Sequence, residues 1–219
     1  MDYSPLWISI KTALTSTAIT FFIGLAVAWP MASFKGKSKV MIDSVLMLPM
    51  VLPPTVAGFF LLILFGKNGP IGKMLSLFDI KVVFSWSATV IAAVAVSFPL
   101  MYKTSKSAFE QIDTNILHAA RTLGASDARI FRTVAVPLAW PGIAAGTALS
   151  FTRAMGEFGA TLMIAGNIPG KTQTIPMAIF FASEGGDQNK ALIWVLTILL
   201  ISLVSILAMH YWSVPGKTK

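Results

Sequence analysis

Five stretches of this chain run for a membrane's thickness without one charged side chain: 12–34, 44–66, 82–102, 133–152 and 191–216. A helix of about 20 predominantly apolar residues crosses the roughly 30 Å hydrocarbon core of a bilayer. No soluble fold needs five such runs in 219 residues. Charged residues make up only 12% of the chain, against about 25% in soluble domains, and these runs account for the deficit. The expectation is an all-α polytopic membrane protein, one domain over 1–219. Its five transmembrane helices are placed at about 10–34, 43–65, 82–104, 140–164 and 191–213, with little mass outside the bilayer.

What remains between the runs excludes most chemistry. There is no cysteine, hence no disulfide, thiolate metal site or thiol nucleophile. His118 and His210 are far apart and have no metal-ligand spacing. Gly166-Asn167-Ile168-Pro169-Gly170-Lys171-Thr172 imitates a phosphate-binding loop, but it has three residues between its glycines where that motif needs four, and it contains a proline. No nucleophile–base or metal constellation of an intramembrane enzyme is visible. The chain is therefore expected to be no enzyme and to bind no cofactor or metal itself. The net charge of +8 reflects basic residues beside apolar runs, which set membrane orientation; nucleic acid is not an expected partner. Ala26-Val27-Ala28 resembles a signal-peptide cleavage site, yet the apolar run continues to Phe34 and three lysines follow, which argues for a retained span.

Orientation follows from the same lysines and arginines. Lys35, Lys37, Lys39, Lys103, Lys106, Arg121, Arg129, Arg132, Lys217 and Lys219 fall on one side of the expected spans. Lys67, Lys73, Lys81, Lys171 and Lys190 fall on the other, with Lys11 near them. The richer side is cytoplasmic, which puts the N-terminus outside and the C-terminus inside.

Two spans carry unusual residues. The second opens with Leu48-Pro49-Met50-Val51-Leu52-Pro53-Pro54-Thr55, where three prolines remove backbone donors and block a regular helix. Freed carbonyls at that depth need protein or a wet cavity around them, so Pro53, Pro54 and Thr55 either kink a packed helix or line a path. The fourth holds Arg153 and Glu157. Arg153 lies about 16 Å up the helix from Gly142 at 1.5 Å per residue, and the two are spaced to pair on one face. Intramembrane charges face a bundle interior or a pathway; a pair that only fixes packing is the other reading. Ser150 and Thr161, with Thr147, add hydroxyls near that face. The apolar piece 175–183 is too short to cross and reads as interfacial or re-entrant over the outer mouth.

The segment 118–137, HAARTLGASDARIFRTVAVP, separates two spans but lacks the composition of a linker. Ala119 and Ala120 permit close approach, Gly124 permits a sharp reversal between two short helices, and Arg121, Arg129 and Arg132 supply polar contacts at the membrane surface. The expectation is a docking element for a cytosolic partner.

The segment resembles the cytoplasmic loop of ABC-importer permeases, in which EAA is followed after three residues by G, and nine residues later by I-x-L-P. Ala119, Ala120, Gly124 and Pro137 match. His118 replaces the acidic residue, Val134 the isoleucine and Val136 the leucine. LPMVLPPTVAGFFLL (48–62), FGKNGPIG (65–72), VSFPLMYK (96–103) and RAMGEFGATLMIAGNIPGKTQTIPMAIF (153–180) extend the likeness over nearly the whole chain and point to the molybdate and sulfate branch. The resemblance implies a type I importer permease with a cytoplasmic coupling-helix loop at about 110–137, in the inner membrane of a prokaryote. It implies two permease copies, two cytosolic ATPase subunits that bind ATP and Mg, and an extracytoplasmic molybdate-binding protein. Residues 118–133 would lie in a cleft of the ATPase, with His118, Ala119, Ala120, Arg121, Gly124, Ala125, Arg129, Arg132 and Pro137 at or near that contact. Molybdate or the similar tungstate is the implied cargo. The alternatives are a sulfate or other oxyanion permease, and a membrane scaffold or sensor that recruits a cytosolic protein through the same loop.

Overall fold

In the computed structural model, which describes residues 2–213 and side chains to Leu207, every regular element is helical. The helices are α1 (Ser4–Ser33), α2 (Lys39–Val51), α3 (Pro54–Phe65), α4 (Pro70–Ser76), α5 (Trp86–Glu110), α6 (Thr114–Thr122), α7 (Asp127–Ile130), α8 (Val136–Met155), α9 (Gly159–Ala165), α10 (Ile175–Glu184) and α11 (Gln188–Ser213). A π-helical turn, Phe131–Ala135, fuses α7 to α8.

Four continuous helices are long and apolar enough to cross a membrane: Ser4–Ser33, Trp86–Glu110, Asp127–Met155 and Gln188–Leu207. The pair α2 and α3 is apolar enough to make a fifth only when taken together, and it is bent by 109° at Leu52–Pro53, the form of a broken span or a re-entrant loop. The cause is local. Pro53 and Pro54 have no N–H to give, and Pro54 opens the new helix where a missing donor costs nothing. The spans differ from their sequence placement in one more respect. The stretch 140–164 is not one helix: it starts earlier, at Asp127, and stops at Met155. The chain leaves the helix through Gly156, Glu157 and Phe158 and restarts as α9.

The centre of the bundle is α5, flanked by α1 and α8. Small residues bring these backbones together, the usual solution where lipid supplies no hydrophobic drive. A side-chain carbon at Gly146 would fall 2.1 Å from Thr104 Oγ1, and one at Gly142 2.5 Å from Ala108 Cβ. Around these contacts Leu25, Ala28, Met31, Met101, Tyr102, Phe109 and Ile143 form a buried cluster. Hydroxyls tie the helices across the seams. Thr12 and Thr89 share a 2.9 Å hydrogen bond, Trp86 Nε1 donates to Thr12 at 3.0 Å, and Ser9 Oγ accepts the Ile175 N–H at 2.8 Å.

The two ends of the bundle are distinct. At one end Trp29 of α1 stacks edge-on with Phe109 of α5 and packs on Phe131; Lys35 shares a cleft there with Leu117 and His118 of α6, and Lys39 reaches Glu110 of α5. At the other, Phe84 N–H donates to the Ile164 carbonyl at 3.1 Å. There Lys11 lies 4.0 Å over the Trp86 ring. α10 lies at this second end, packed by Ile175 and Ala178 against Ala13 and Trp194. Lys217 and Lys219 lie outside the described residues, as does the side chain of His210.

Candidate functional site

The segment 113–135 folds as a helical hairpin on one end of the bundle. Asp113 caps α6, its carboxylate accepting the Asn115 N–H at 2.9 Å. Ser126 caps α7, its hydroxyl facing the Arg129 N–H at 3.4 Å. Between them Gly124 has φ +80°, a left-handed conformation that side chains with a Cβ adopt at a cost. The Ala125 N–H returns to the Ala120 carbonyl at 3.1 Å and closes the reversal. Leu117 and Ile130 are buried and anchor the hairpin. His118, Ala119, Arg121, Gly124, Arg129 and Arg132 are exposed, Ala120 and Ala125 half-buried. Leu123, at 88% exposure, is an apolar tip beside the glycine. Arg121 grips Asp127 across the turn through Nε at 3.2 Å and Nη2 at 3.1 Å. Pro137 stands apart from this face, exposed in the first turn of α8. A cleft of about 400 Å³ between the end of α5 and the start of α8, lined by Gln111, Asp113, Ile116 and Leu138 among others, opens beside α6.

The intramembrane charges do pair: Arg153 Nη1 lies 2.7 Å from Glu157 Oε2. They do not share one unbroken helix face, because the helix ends between them. Arg153 is in the last turn of α8, and Glu157 lies beyond Gly156 in the break. The other carboxylate oxygen, Oε1, accepts the Ala160 N–H at 2.7 Å. Glu157 therefore has two tasks, holding Arg153 and satisfying a donor at the start of α9. The burial is unequal. The Glu157 side chain is 2% exposed, that of Arg153 32%. An arginine has five N–H donors, and at 32% exposure the guanidinium is only partly covered.

The break meets the proline break. A side-chain carbon at Gly159 would lie 3.0 Å from Pro54 Cβ and 3.3 Å from Thr55 N, and one at Gly58 2.7 Å from Ala160 Cα. Pro54, Thr55, Glu157 and Thr161 are thus gathered around one α3–α9 contact, with Arg153 at its edge. Thr161 is buried, Pro53 and Thr55 exposed. Ser150 does not join this group. It is buried, and its hydroxyl donates to the Ser97 carbonyl of α5 at 3.3 Å.

One cluster escaped sequence reasoning. Asp43 on α2 accepts from Lys106 Nζ and from the Tyr102 hydroxyl, both on α5. Lys39 and Glu110 pair at 3.0 Å one turn away. The signal was present as two helical spacings of four, Lys39/Asp43 and Lys106/Glu110. What hid it was the placement of Asp43 at the lip of an apolar run. Among the described residues no group of His, Asp and Glu has the arrangement of a metal site.

Residues 20–214 match the family model described as binding-protein-dependent transport system inner membrane component. The chain is 45% identical to the putative molybdenum transport system permease protein YvgM of Bacillus subtilis, over 92% of this chain and 89% of that protein. It is 40% identical to the molybdenum transport system permease protein ModB of Escherichia coli K12, over 94% and 91%. It is 34% identical to the sulfate transport system permease protein CysT of Salmonella typhimurium, over 93% and 73%. The fold is similar to that of a chain of the MetNI methionine ABC transporter in an inward-facing conformation, with a TM-score of 0.76 at 15% identity, covering 94% of this chain and 92% of that one.

Proposed function

We propose, from the premise that the chain belongs to the family of inner-membrane components of binding-protein-dependent transport systems, that it carries molybdate, or the similar tungstate, through the membrane. It is a multi-pass transport subunit and not an enzyme; ATP hydrolysis is the work of a separate ABC ATPase subunit. The observation that carries the reading of the cargo is 40–45% identity over more than nine-tenths of the chain to two molybdenum permeases.

In this reading two copies of the chain enclose one path. An extracytoplasmic molybdate-binding protein delivers the anion, and two cytosolic ATPases bind ATP and Mg. The hairpin 113–135 sits in a cleft of each ATPase, so the end bearing Lys35, Lys39 and the hairpin is cytoplasmic. The N-terminus is outside and the C-terminus inside. The physical support is the exposed face of the hairpin: a stiff, capped reversal with an apolar tip and arginines has the form of a mechanical contact. When ATP draws the ATPases together, the hairpins move and the spans rock between inward-open and outward-open states, a rigid-body transition driven by differential contacts.

For the anion, the contact of the two breaks is the favoured wall of the path. A dianion in a low dielectric needs N–H donors or positive potential. Arg153 offers both while Glu157 fixes its direction. The pair is neutral as a whole, so it favours passage over tight capture, and selection among oxyanions falls to the binding protein. The sulfate reading is kept by the likeness to CysT at 34% identity.

The decisive experiment is uptake of labelled molybdate into proteoliposomes holding this chain, its ATPase and its binding protein. ATP-dependent uptake that excess tungstate suppresses and sulfate does not is expected. Uptake of sulfate in preference would replace the cargo. An ATPase that never co-purifies would favour the scaffold reading. Cysteines placed at Lys37 and Lys171 of this cysteine-free chain test the topology: an impermeant thiol reagent added outside should label position 171 and spare position 37.

A further inference from the structure

We propose that Asp43 and Lys106, with Lys39 and Glu110, form a strap that locks α2 to the cytoplasmic end of α5, so that motion of the coupling hairpin reaches the Leu52–Pro53 break. The inference rests on the importer reading above. Its starting point is how little else holds α2. No residue of α2 is buried; Leu46 and Met47 are half-buried against the cluster that contains Tyr102 and Phe109. Beyond Leu52 the chain turns by 109° into α3. α2 is therefore a lever, with the proline break at one end and its attachment to α5 at the other.

The attachment is specific in register. Tyr102, Lys106 and Glu110 follow one another at intervals of four along one stripe of α5, and Lys39 and Asp43 do so on α2. Lys39 Nζ meets Glu110 Oε1 at 3.0 Å, and Lys106 Nζ meets Asp43 Oδ2. The Tyr102 hydroxyl donates to Asp43 Oδ1, so both oxygens of that carboxylate are engaged. Lys106 also reaches Glu110 at 3.8 Å and lies 5.9 Å from the centre of the Tyr102 ring. The two helices run antiparallel here, and the charges on each alternate. A slide of α2 by one turn in one direction sets Lys39 against Lys106; in the other it sets Asp43 against Glu110. Either slip replaces attraction with repulsion between like charges. The Lys106 and Asp43 side chains are 13% and 26% exposed, so solvent screens the central pair less than it would an open surface pair. α6 begins at Thr114, one turn beyond Glu110, so a displaced hairpin pulls on α5 where the strap is fastened.

The strap stays closed throughout the cycle; α2 and the end of α5 move as one body. The test uses the assembled complex of permease, ATPase and binding protein. Spin labels at exposed Val45 and Lys103 report the separation of α2 and α5. One narrow distance, unchanged between nucleotide-free and ATP-bound complex, is expected. Asp43→Lys opposes two lysines; it should broaden the distance and lower the rate of uptake about tenfold, within the range by which coupling residues act. The exchange Asp43→Lys with Lys106→Asp should narrow the distance and return uptake toward the native rate. Asp43→Asn replaces Asp43→Lys if the latter fails to assemble. A native distance that changes with nucleotide overturns the proposal, as does an assembled Asp43→Lys complex with native uptake and distance, or an exchange that recovers neither. If the native complex transports no molybdate, the cargo assignment fails, and the label distances still decide on the strap.

Discussion

The hairpin at 113–135 and the junction of the two helix breaks are both places where the chain departs from a straight span, yet they use glycine in opposite ways. At the tip of the hairpin Gly124 has nothing within 4 Å of where a Cβ would stand, and φ is +80°. At the junction Gly58 has ordinary helical backbone, but an added Cβ would lie 2.7 Å and 2.8 Å from the Ala160 Cα and carbonyl oxygen. The first glycine is needed for conformation in open water, the second for space between two backbones. The polar groups divide likewise. Arg121 and Asp127 of the hairpin are 46% and 76% exposed, whereas Glu157 at the junction is 2% exposed. The hairpin is a local object, built from its own caps and turn and presented outward. The junction is cooperative, because removing one group strands another.

The largest effect that follows is at Glu157. Glu157→Ala leaves Arg153 without its counter-charge and the Ala160 N–H without its acceptor. Breaking one side of a buried pair costs about 3–5 kcal/mol. The partial exposure of Arg153 sets the lower part of that range. Thermal unfolding in detergent, followed by loss of monodisperse protein, should show a marked fall. Glu157→Gln, which can still accept from Ala160, should recover part of it. Replacing both Arg153 and Glu157 by methionine should restore much of the stability and abolish uptake. Normal uptake by that double variant would reduce the pair to packing and remove it from the path.

Gly58→Ala comes next. The methyl group meets backbone atoms that cannot rotate away, and overpacking of this kind costs about 1–3 kcal/mol. The same substitution at Gly142, where the nearest atom is the Ala108 Cβ at 2.5 Å, crowds one side chain against another. If Gly58→Ala leaves stability unchanged while Gly142→Ala lowers it, the α3 and α9 backbones are not in close contact.

Gly124→Val sharpens the contrast from the other side. A β-branched residue at positive φ is strained by about 1–3 kcal/mol, but the turn is exposed and the strain can be relieved by local rearrangement. The spans should insert and the protein should melt close to its native temperature. Association with the ATPase, or ATP hydrolysis stimulated by loaded binding protein, should fall. Full coupling in a reconstituted complex would remove the hairpin from its assigned role.

This division also explains what could be read in the sequence. The spans were legible because a lipid surround excludes charge whatever the helix phase: four of the five expected runs are long helices, and the second is the bent pair α2 and α3. The hairpin was legible because its signals are local: Gly124 for the reversal, arginines for an exposed surface. The junction was not. Gly156-Glu157-Phe158-Gly159 reads as part of the one expected span 140–164, and nothing local says that Glu157 will accept the Ala160 N–H beyond a break. Hydrophobic periodicity is silent inside a membrane, since lipid-facing and protein-facing positions are both apolar. Hence Ser150 was grouped with Arg153, although its hydroxyl is tied to Ser97. Asp43 and Lys106 are a long-range pair that only the fold of α2 back onto α5 reveals.

The smallest effect is expected at the Arg121–Asp127 pair. It spans the Gly124 turn with two hydrogen bonds to one carboxylate oxygen, a geometry that suggests a brace. The exposure of both side chains argues otherwise for stability. Water screens such pairs, and ordering two flexible side chains offsets most of the attraction, so exposed pairs contribute roughly 0–1 kcal/mol. Asp127→Asn should leave the melting temperature almost unchanged, and what change there is should vanish in high salt. Asp127 also precedes Arg129 in the first turn of α7, where a negative charge is favoured by the helix dipole. Asp127→Asn removes that term too, so Arg121→Gln, which spares it, is the cleaner probe of the pair. Equal small losses from both variants would assign the effect to the pair itself. A loss confined to Asp127→Asn would assign it to the start of α7. A loss from Arg121→Gln as large as that from Gly58→Ala would mean that the hairpin, like the junction, is held by contacts that water does not reach, and the contrast between the two regions would fail.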